Sequence, residues 1–248
     1  MKTIYVIRHA QAIGKDANIP DVERTLTAKG VKDSRKSGKA LGKIDLNSVL
    51  LISSHANRAL ETAQQVAKVL DYHPEKILLK EAIYDCDNGT DLVKILQELD
   101  DGYTTAVVVG HEPTLSQLIA RLIGIEIQGL PKAAMVGIDC DTDSWSTIGD
   151  KAGSMTFFDA PLNKADKLKI VKKVTRSIEK QIAEAIASTV SLHDATVSSR
   201  MKKAVTNAAS EVAQRLIKES GDSHLIRQYL IQQATEPASK PESARSKS

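Results

Sequence analysis

Of 248 residues only two are cysteine, Cys86 and Cys140. Two thiols in a mid-sized chain read as reduced and unpaired, in the cytoplasm. No apolar run approaches the roughly 20 residues that a bilayer crossing needs, so no membrane span is expected. No leader is expected before the first strand, which Met1-Lys-Thr-Ile enters at once. There is no large excess of either charge, with 34 Lys+Arg against 31 Asp+Glu. The small excess is local. Residues 164–248 hold 16 basic and 9 acidic residues, a balance of +7, which leaves 18 and 22, or −4, for residues 1–163. The basic surplus therefore belongs to the tail, and the overall charge is no reason to expect nucleic-acid binding by the whole chain. No internal repeat stands out.

What is present up to Pro161 is an alternation of strand and helix signals. Thr3–Ile7, Ser48–Ser54, Ile77–Leu79 and Thr105–Gly110 are short apolar runs rich in β-branched residues, the pattern of buried, parallel strands. Helical runs follow at Ala28–Leu41, with Thr27 as cap, at Ala59–Leu70, at Leu92–Leu99 and from Thr114 to Ile123. Ala134–Ile138 and Ser154–Phe158 read as a closing hairpin with one antiparallel edge. The expected class is α/β, a mostly parallel sheet flanked by helices. Ala12–Val22 reads as a loop over the pocket, and Glu81–Asp91 as a second, acidic loop.

Three of these strands end on cationic or imidazole side chains. The first runs into Arg8-His9, the second into His55-Ala-Asn-Arg58, and the fourth into His111-Glu-Pro-Thr. In an open parallel sheet the carboxyl ends of strands share one edge, where ligands bind. Arg8, His9, Arg58 and His111 should therefore meet there. Two guanidiniums and two imidazoles, with no matching carboxylate in the motifs, suit an anion of more than one charge. Phosphoryl is the obvious candidate, because the arginine fork matches its oxygens.

The start Arg8-His9-Ala10, the segment Ser53-Ser-His-Ala-Asn-Arg-Ala-Leu-Glu-Thr62 and the segment Gly110-His111-Glu-Pro113 resemble the histidine phosphatase superfamily, branch 1. Arg24 followed by Leu26-Thr-Ala-Lys-Gly30, in a small core, is most similar to its phosphohistidine phosphatases of the SixA type. The resemblance covers about residues 1–161. The family usually has Gly where this chain has Ala10. The resemblance implies a phosphoglycerate mutase-like fold, no metal or cofactor, and turnover through a phosphorylated histidine.

On that reading His9 is the nucleophile. Its imidazole, with an ordinary pKa near 6.5, is pushed lower by neighbouring guanidiniums and so is neutral near pH 7. Arg8, Arg58 and His111 hold the phosphoryl oxygens. The proton donor for the leaving group is Glu81, with Asp85 and Asp87 as alternatives in the same acidic loop; a solvated loop is the other reading of all three. Arg24 either contacts substrate or braces its loop, and His55 lies near enough to Arg58 to line the rim. His73, His193 and His224 read as surface or cap residues. The favoured substrate is phosphohistidine in a protein. The alternatives are small phosphate esters on the same machinery, and a phosphate-recognising scaffold that acts through its helical tail.

From Asn163 the strand signals stop. Ile170, Val174, Ile178, Ile182, Ile186 and Val190 form one helical stripe, and Val197, Met201, Val205, Ala208, Val212 and Leu216 a second. A short third helix is expected at Leu225–Ile231. Residues 163–234 then form a helical extension and 235–248 a disordered tail. The stripes cannot be buried by isolated helices. They pack as an intramolecular hairpin, serve a second copy or protein partner, or offer a basic stripe to lipid or nucleic acid. The last is disfavoured by few aromatics and no Trp in the tail.

Overall fold

The computed structural model describes residues 1–15, 18–85, 88–127, 129–162, 164–189 and 199–220. They divide into two compact units, one holding Met1–Pro161 and the other Leu162–Leu230.

The first unit is built on six strands: β1 (Lys2–Arg8), β2 (Val49–Ser53), β3 (Leu78–Leu79), β4 (Thr105–Gly110), β5 (Met135–Cys140) and β6 (Gly153–Asp159). They lie in the order β3-β2-β4-β1-β5-β6. β3, β2, β4 and β1 pair in parallel. β5 runs against both β1 and β6, so it alone opposes the sheet direction. The hairpin expected from the sequence is present, and its reversed member lies inside the edge.

β4 sits between β2 and β1, and all six of its residues are buried. That is why Ala106-Val-Val-Val109 carries no polar alternation: both faces of a central parallel strand are covered. On one face Tyr5, Ile7, Leu51, Val107 and Val109 meet Ala59, Ala63, Val66 and Ala67 of helix α2 (Asn57–Val69) and Leu41 of α1 (Ala28–Leu41). Strand alternation turns Ile4, Val6, Ile52, Ala106 and Val108, also buried, to the other face. There α5 (Thr114–Ile123) packs on β1, β5 and β6, and α4 (Gly89–Gln97) packs on α5. Thr27 caps α1 by accepting from Gly30 N–H at 3.0 Å, as its position before Ala28 predicts.

The second loop differs from expectation. It contains a one-turn helix, α3 (Ala82–Asp85), and α4 already begins at Gly89. Asn88 caps α4 by accepting from Thr90 N–H at 2.9 Å. The cap moves the helix start upstream of the apolar run at Leu92.

In the second unit α6 (Lys164–Thr189) and α7 (Ser199–Ser220) pack on each other. Val174 is buried in α6, with Ile178, Ile182 and Ile186 partly so. The stripe expected in α7 keeps Val205, which is partly buried, and shifts by one residue after it. Ala209 and Ala213 are buried, while Ala208 and Val212 are exposed. Alanines on the inward face let the helix axes approach, and Ser210 Oγ donates to Glu179 Oε1 at 2.8 Å across the contact. The expected helix at Leu225–Ile231 and the tail at 235–248 lie outside the described residues. No described helix is long and apolar enough to cross a membrane.

Candidate active site

Strand register brings the motifs together. Arg8, the last residue of β1, pairs with Gly110, the last of β4. One step on, His9 N–H donates to Gly110 O at 3.0 Å. His9 and His111 thus leave neighbouring parallel strands side by side, with ring centroids 5.1 Å apart. On the other flank of β4, Ser54 N–H donates to Val109 O at 3.1 Å, so the chain leaves β2 at the same edge. The first turn of α2 then carries Arg58 into the group. Thr62, one turn later, accepts from Ala10 N–H at 3.0 Å and donates to Arg58 O at 2.7 Å. It joins the first motif to the second.

His9 is oriented by the chain immediately after it. Its Nδ1 lies 2.8 Å from Ala10 O. A carbonyl only accepts, so Nδ1 carries the proton and the Nε2 lone pair is free. Burial lowers the His9 pKa to about 4; the hydrogen bond to Ala10 opposes this, and the charges of Arg58, Arg8 and Lys132 add to it. His111 is lowered to about 3, by burial first and then by His9 and Arg58. Both rings are neutral at pH 7. His111 Nε2 lies 2.9 Å from Ser54 Oγ. Ser54 Oγ already accepts from Ala56 N–H at 3.2 Å. We assign its own proton to His111 Nε2, which leaves the ring proton on Nδ1.

The free valences are informative. Arg8 donates through Nη1 to Leu130 O, yet its buried Nε has no partner. Arg58 Nε, His111 Nδ1 and His55 Nδ1 are likewise buried and unpartnered. Unsatisfied buried polar atoms are rare and need a reason. Nitrogens from several side chains with open valences, around one imidazole with a free lone pair, form a site for a group rich in acceptor oxygens.

Sequence reasoning found no carboxylate to match the cations, and here the structure corrects it. Asp21 opens a 3₁₀ turn, Asp21–Glu23, within the first loop. Arg58 Nη1 donates to Asp21 O at 2.6 Å, and Arg58 Nη2 to Asp21 Oδ2 at 2.8 Å. Arg24 grips Oδ1 through Nε at 3.0 Å and Nη2 at 2.7 Å. Burial raises the Asp21 pKa, but the hydrogen bonds from Arg24 and Tyr84 and the charges of Arg58 and Arg24 outweigh it and hold it at about 2. Arg24 also donates through Nη1 to Ile13 O at 2.8 Å. Its described bonds brace the loop, which is one of its two expected roles.

Tyr84 was also missed. It projects from α3, and its hydroxyl donates to Asp21 Oδ2 at 3.0 Å. Its ring stands edge-on to His55 at 5.2 Å and to His111 at 5.4 Å. Arg58 Cζ lies 5.7 Å from its centroid. An aromatic inside an acidic loop carries no sequence signal for this. His55, expected at the rim, lies against Tyr84 with its Nδ1 buried. Glu81, in contrast, is exposed just before α3 and its side chain bonds to none of these groups. Asp85 is exposed as well, and Asp87 lies outside the described residues. Glu112, beside His111, was not considered from sequence. Its pKa is raised by burial, Ser116 Oγ donates to its Oε2, and its Oε1 is buried without a partner. His73 pairs with exposed Glu75 at 3.0 Å, a surface role, and His193 and His224 lie outside the described residues.

Fold and side chains define an α/β protein that gathers Arg8, His9, Arg58 and His111 at the carboxyl edge of its sheet. Residues 4–92 match the model of the histidine phosphatase superfamily (branch 1), the family that the motifs resemble. Among solved structures, the protein histidine phosphatase SixA complexed with tungstate is 23% identical with a TM-score of 0.54, covering 64% of this chain and 97% of that one. A candidate SixA phosphohistidine phosphatase from Nakamurella multipartitia is 18% identical with a TM-score of 0.55, covering 65% and 97%. A mycobacterial glucosyl-3-phosphoglycerate phosphatase in complex with VO3 is 14% identical with a TM-score of 0.50, covering 64% and 100%. These likenesses establish the phosphoglycerate mutase-like fold of the first unit. No curated protein matches the sequence.

Proposed function

We propose that this protein is a phosphatase that forms a phosphohistidine at His9 and acts on phosphohistidine in a protein. In the first step His9 Nε2 forms a bond to phosphorus while the bond from phosphorus to the substrate's imidazole nitrogen breaks. The departing nitrogen takes a proton from solvent. A water oxygen then attacks the same phosphorus, the bond to Nε2 breaks, and orthophosphate leaves with His9 neutral again. Arg8, Arg58 and His111 donate to the equatorial oxygens as charge gathers on them. The observation that carries this reading is the set of unpartnered buried nitrogens around a ring whose Nδ1–H is fixed by Ala10 O.

Substrate class follows from the leaving group. Exchanging one phosphorus–nitrogen bond for another is nearly balanced, and imidazole leaves with modest help. An alkoxide needs a well-placed acid, and Glu81 and Asp85 are exposed. One observation favours small phosphate esters instead: Glu112 is a partly buried carboxyl with a raised pKa, next to His111. Turnover of a phosphohistidine protein and of an alkyl phosphate such as glycerol phosphate, by the wild type, His9→Ala and Glu112→Gln, separates the readings. We expect His9→Ala to lose at least about 1000-fold on either substrate, the usual scale for removing a nucleophile. Radiolabelled phosphate should be trapped on the wild type alone. Glu112→Gln should spare the phosphohistidine protein; a large loss confined to the ester would favour the second reading. Wild type inert towards both substrates would leave the scaffold reading.

A further inference from the structure

Arg58 has a nearly buried guanidinium, with only 7% of its side chain exposed. Such a cation must be held by hydrogen bonds, or burial penalises it. It is held at one end. Both terminal nitrogens donate to a single residue, Nη1 to the backbone oxygen of Asp21 and Nη2 to its carboxylate. Nε, on the other side of the fork, is buried and unpartnered. A guanidinium is planar and its donors are fixed relative to one another. Gripping the Nη end therefore fixes the direction of Nε–H.

Asp21 is itself fixed. Its Oδ1 receives the fork of Arg24, and its Oδ2 receives the Tyr84 hydroxyl as well as Arg58. The turn that bears it is tied down further along, where Asn57 Nδ2 donates to Glu23 O at 2.9 Å and Leu26 N–H to Glu61 Oε2 at 2.7 Å. A carboxylate with this many donors is not a loose counter-ion waiting to be displaced by a substrate.

We infer that Asp21 is a positioning residue: it grips Arg58 by its terminal nitrogens so that the Nε edge is presented, ready-oriented, to the phosphoryl group on His9. The inference rests on the phosphatase reading of the site. Preorganised donors are worth more than mobile ones because nothing must reorient as charge develops. Tyr84 supports the grip at the same carboxylate oxygen, Oδ2, and so acts on the phosphoryl group through Asp21.

The test is a double-mutant cycle on the full chain, with Asp21→Asn, Arg58→Lys and the pair. It is read as kcat and KM on p-nitrophenyl phosphate and the phosphohistidine protein, and as tungstate affinity by calorimetry. Asp21→Asn should lower kcat by about 10- to 100-fold, the range for one charge-assisted hydrogen bond, and should weaken tungstate. On the Arg58→Lys background it should add less than about twofold. Tyr84→Phe, which leaves both charges in place, should give a smaller loss that vanishes on the Arg58→Lys background. That variant keeps the test sound if Asp21→Asn folds poorly. An equal loss from Asp21→Asn with and without Arg58 overturns the inference, and so does tighter tungstate binding in Asp21→Asn, the mark of a mere competitor. Wild type without turnover would instead strike at the phosphatase reading beneath it.

Discussion

His9 carries its proton state in its surroundings. Burial and three cations hold its pKa at about 4, against the single hydrogen bond to Ala10. With the neutral ring as the proposed nucleophile, kcat/KM should be flat through neutral pH and fall as pH drops through about 4. A limb near the unperturbed value of 6.5 would mean that His9 is not held as the structure has it. Stability has the same sign. Between pH 6.5 and about 4 the unfolded chain binds protons at His9 and His111 that the folded chain refuses. Stability is therefore lost as pH falls through that window, and Tm against pH, wild type beside His9→Asn, should show a shallower loss in the variant. His9, Arg8, Arg58 and His111 were legible because each follows a strand signal. Asp21 and Tyr84 were not: one sits in a polar loop and the other in an acidic one, and only the folded chain brings the two side chains to Arg58.

Helix α1 sets where the first motif goes. Gly30 packs so closely that a Cβ there would lie 2.1 Å from Gln11 O, two residues beyond His9. Thr27 binds the same carbonyl through its N–H at 2.9 Å and its hydroxyl at 3.1 Å. Two changes at this junction should separate stability from function. Thr27→Ala removes the cap and should cost about 1 kcal/mol, or roughly 2–4 °C in Tm for a unit of this size. Its kcat should fall by less than about threefold. Gly30→Ala must push the Gln11 peptide away, and with it the Ala10 carbonyl that orients His9. Its activity should drop at least tenfold, out of proportion to any change in Tm. Equal ratios of activity to Tm in the two variants would show that the junction does not transmit to the site. At this scale periodicity read well: α1, β4 and α5 have the residues it assigned. It read poorly where a cap or a small residue decided the outcome. Asn88 begins α4 upstream of its apolar run, and Ala209 and Ala213 take the contact that Ala208 and Val212 were expected to make.

At the level of the molecule, the first unit owns every group in the proposed chemistry. Arg8, Asp21, Arg58, Tyr84 and His111 all lie within Met1–Pro161, and so does the sheet that aligns them. Both faces of β4 are closed by helices of that same unit. The second unit meets its own packing need in part through the α6–α7 contact, with Ser210 bonded to Glu179. It also carries a basic surplus that the first unit lacks. These facts make the division testable. A chain ended after Asn163 should fold cooperatively and turn over p-nitrophenyl phosphate within about threefold of the full chain, because every group in the proposed chemistry lies within Met1–Pro161. A KM effect confined to a phosphoprotein substrate would assign α6 and α7 to substrate docking. A sizing column, run on both chains, reads the alternative in which the helices join two copies: the full chain would then elute as a dimer and the shortened one as a monomer. A folded but inactive 1–163 fragment would show that the helices complete the site, and the boundary drawn at Pro161 would have to move.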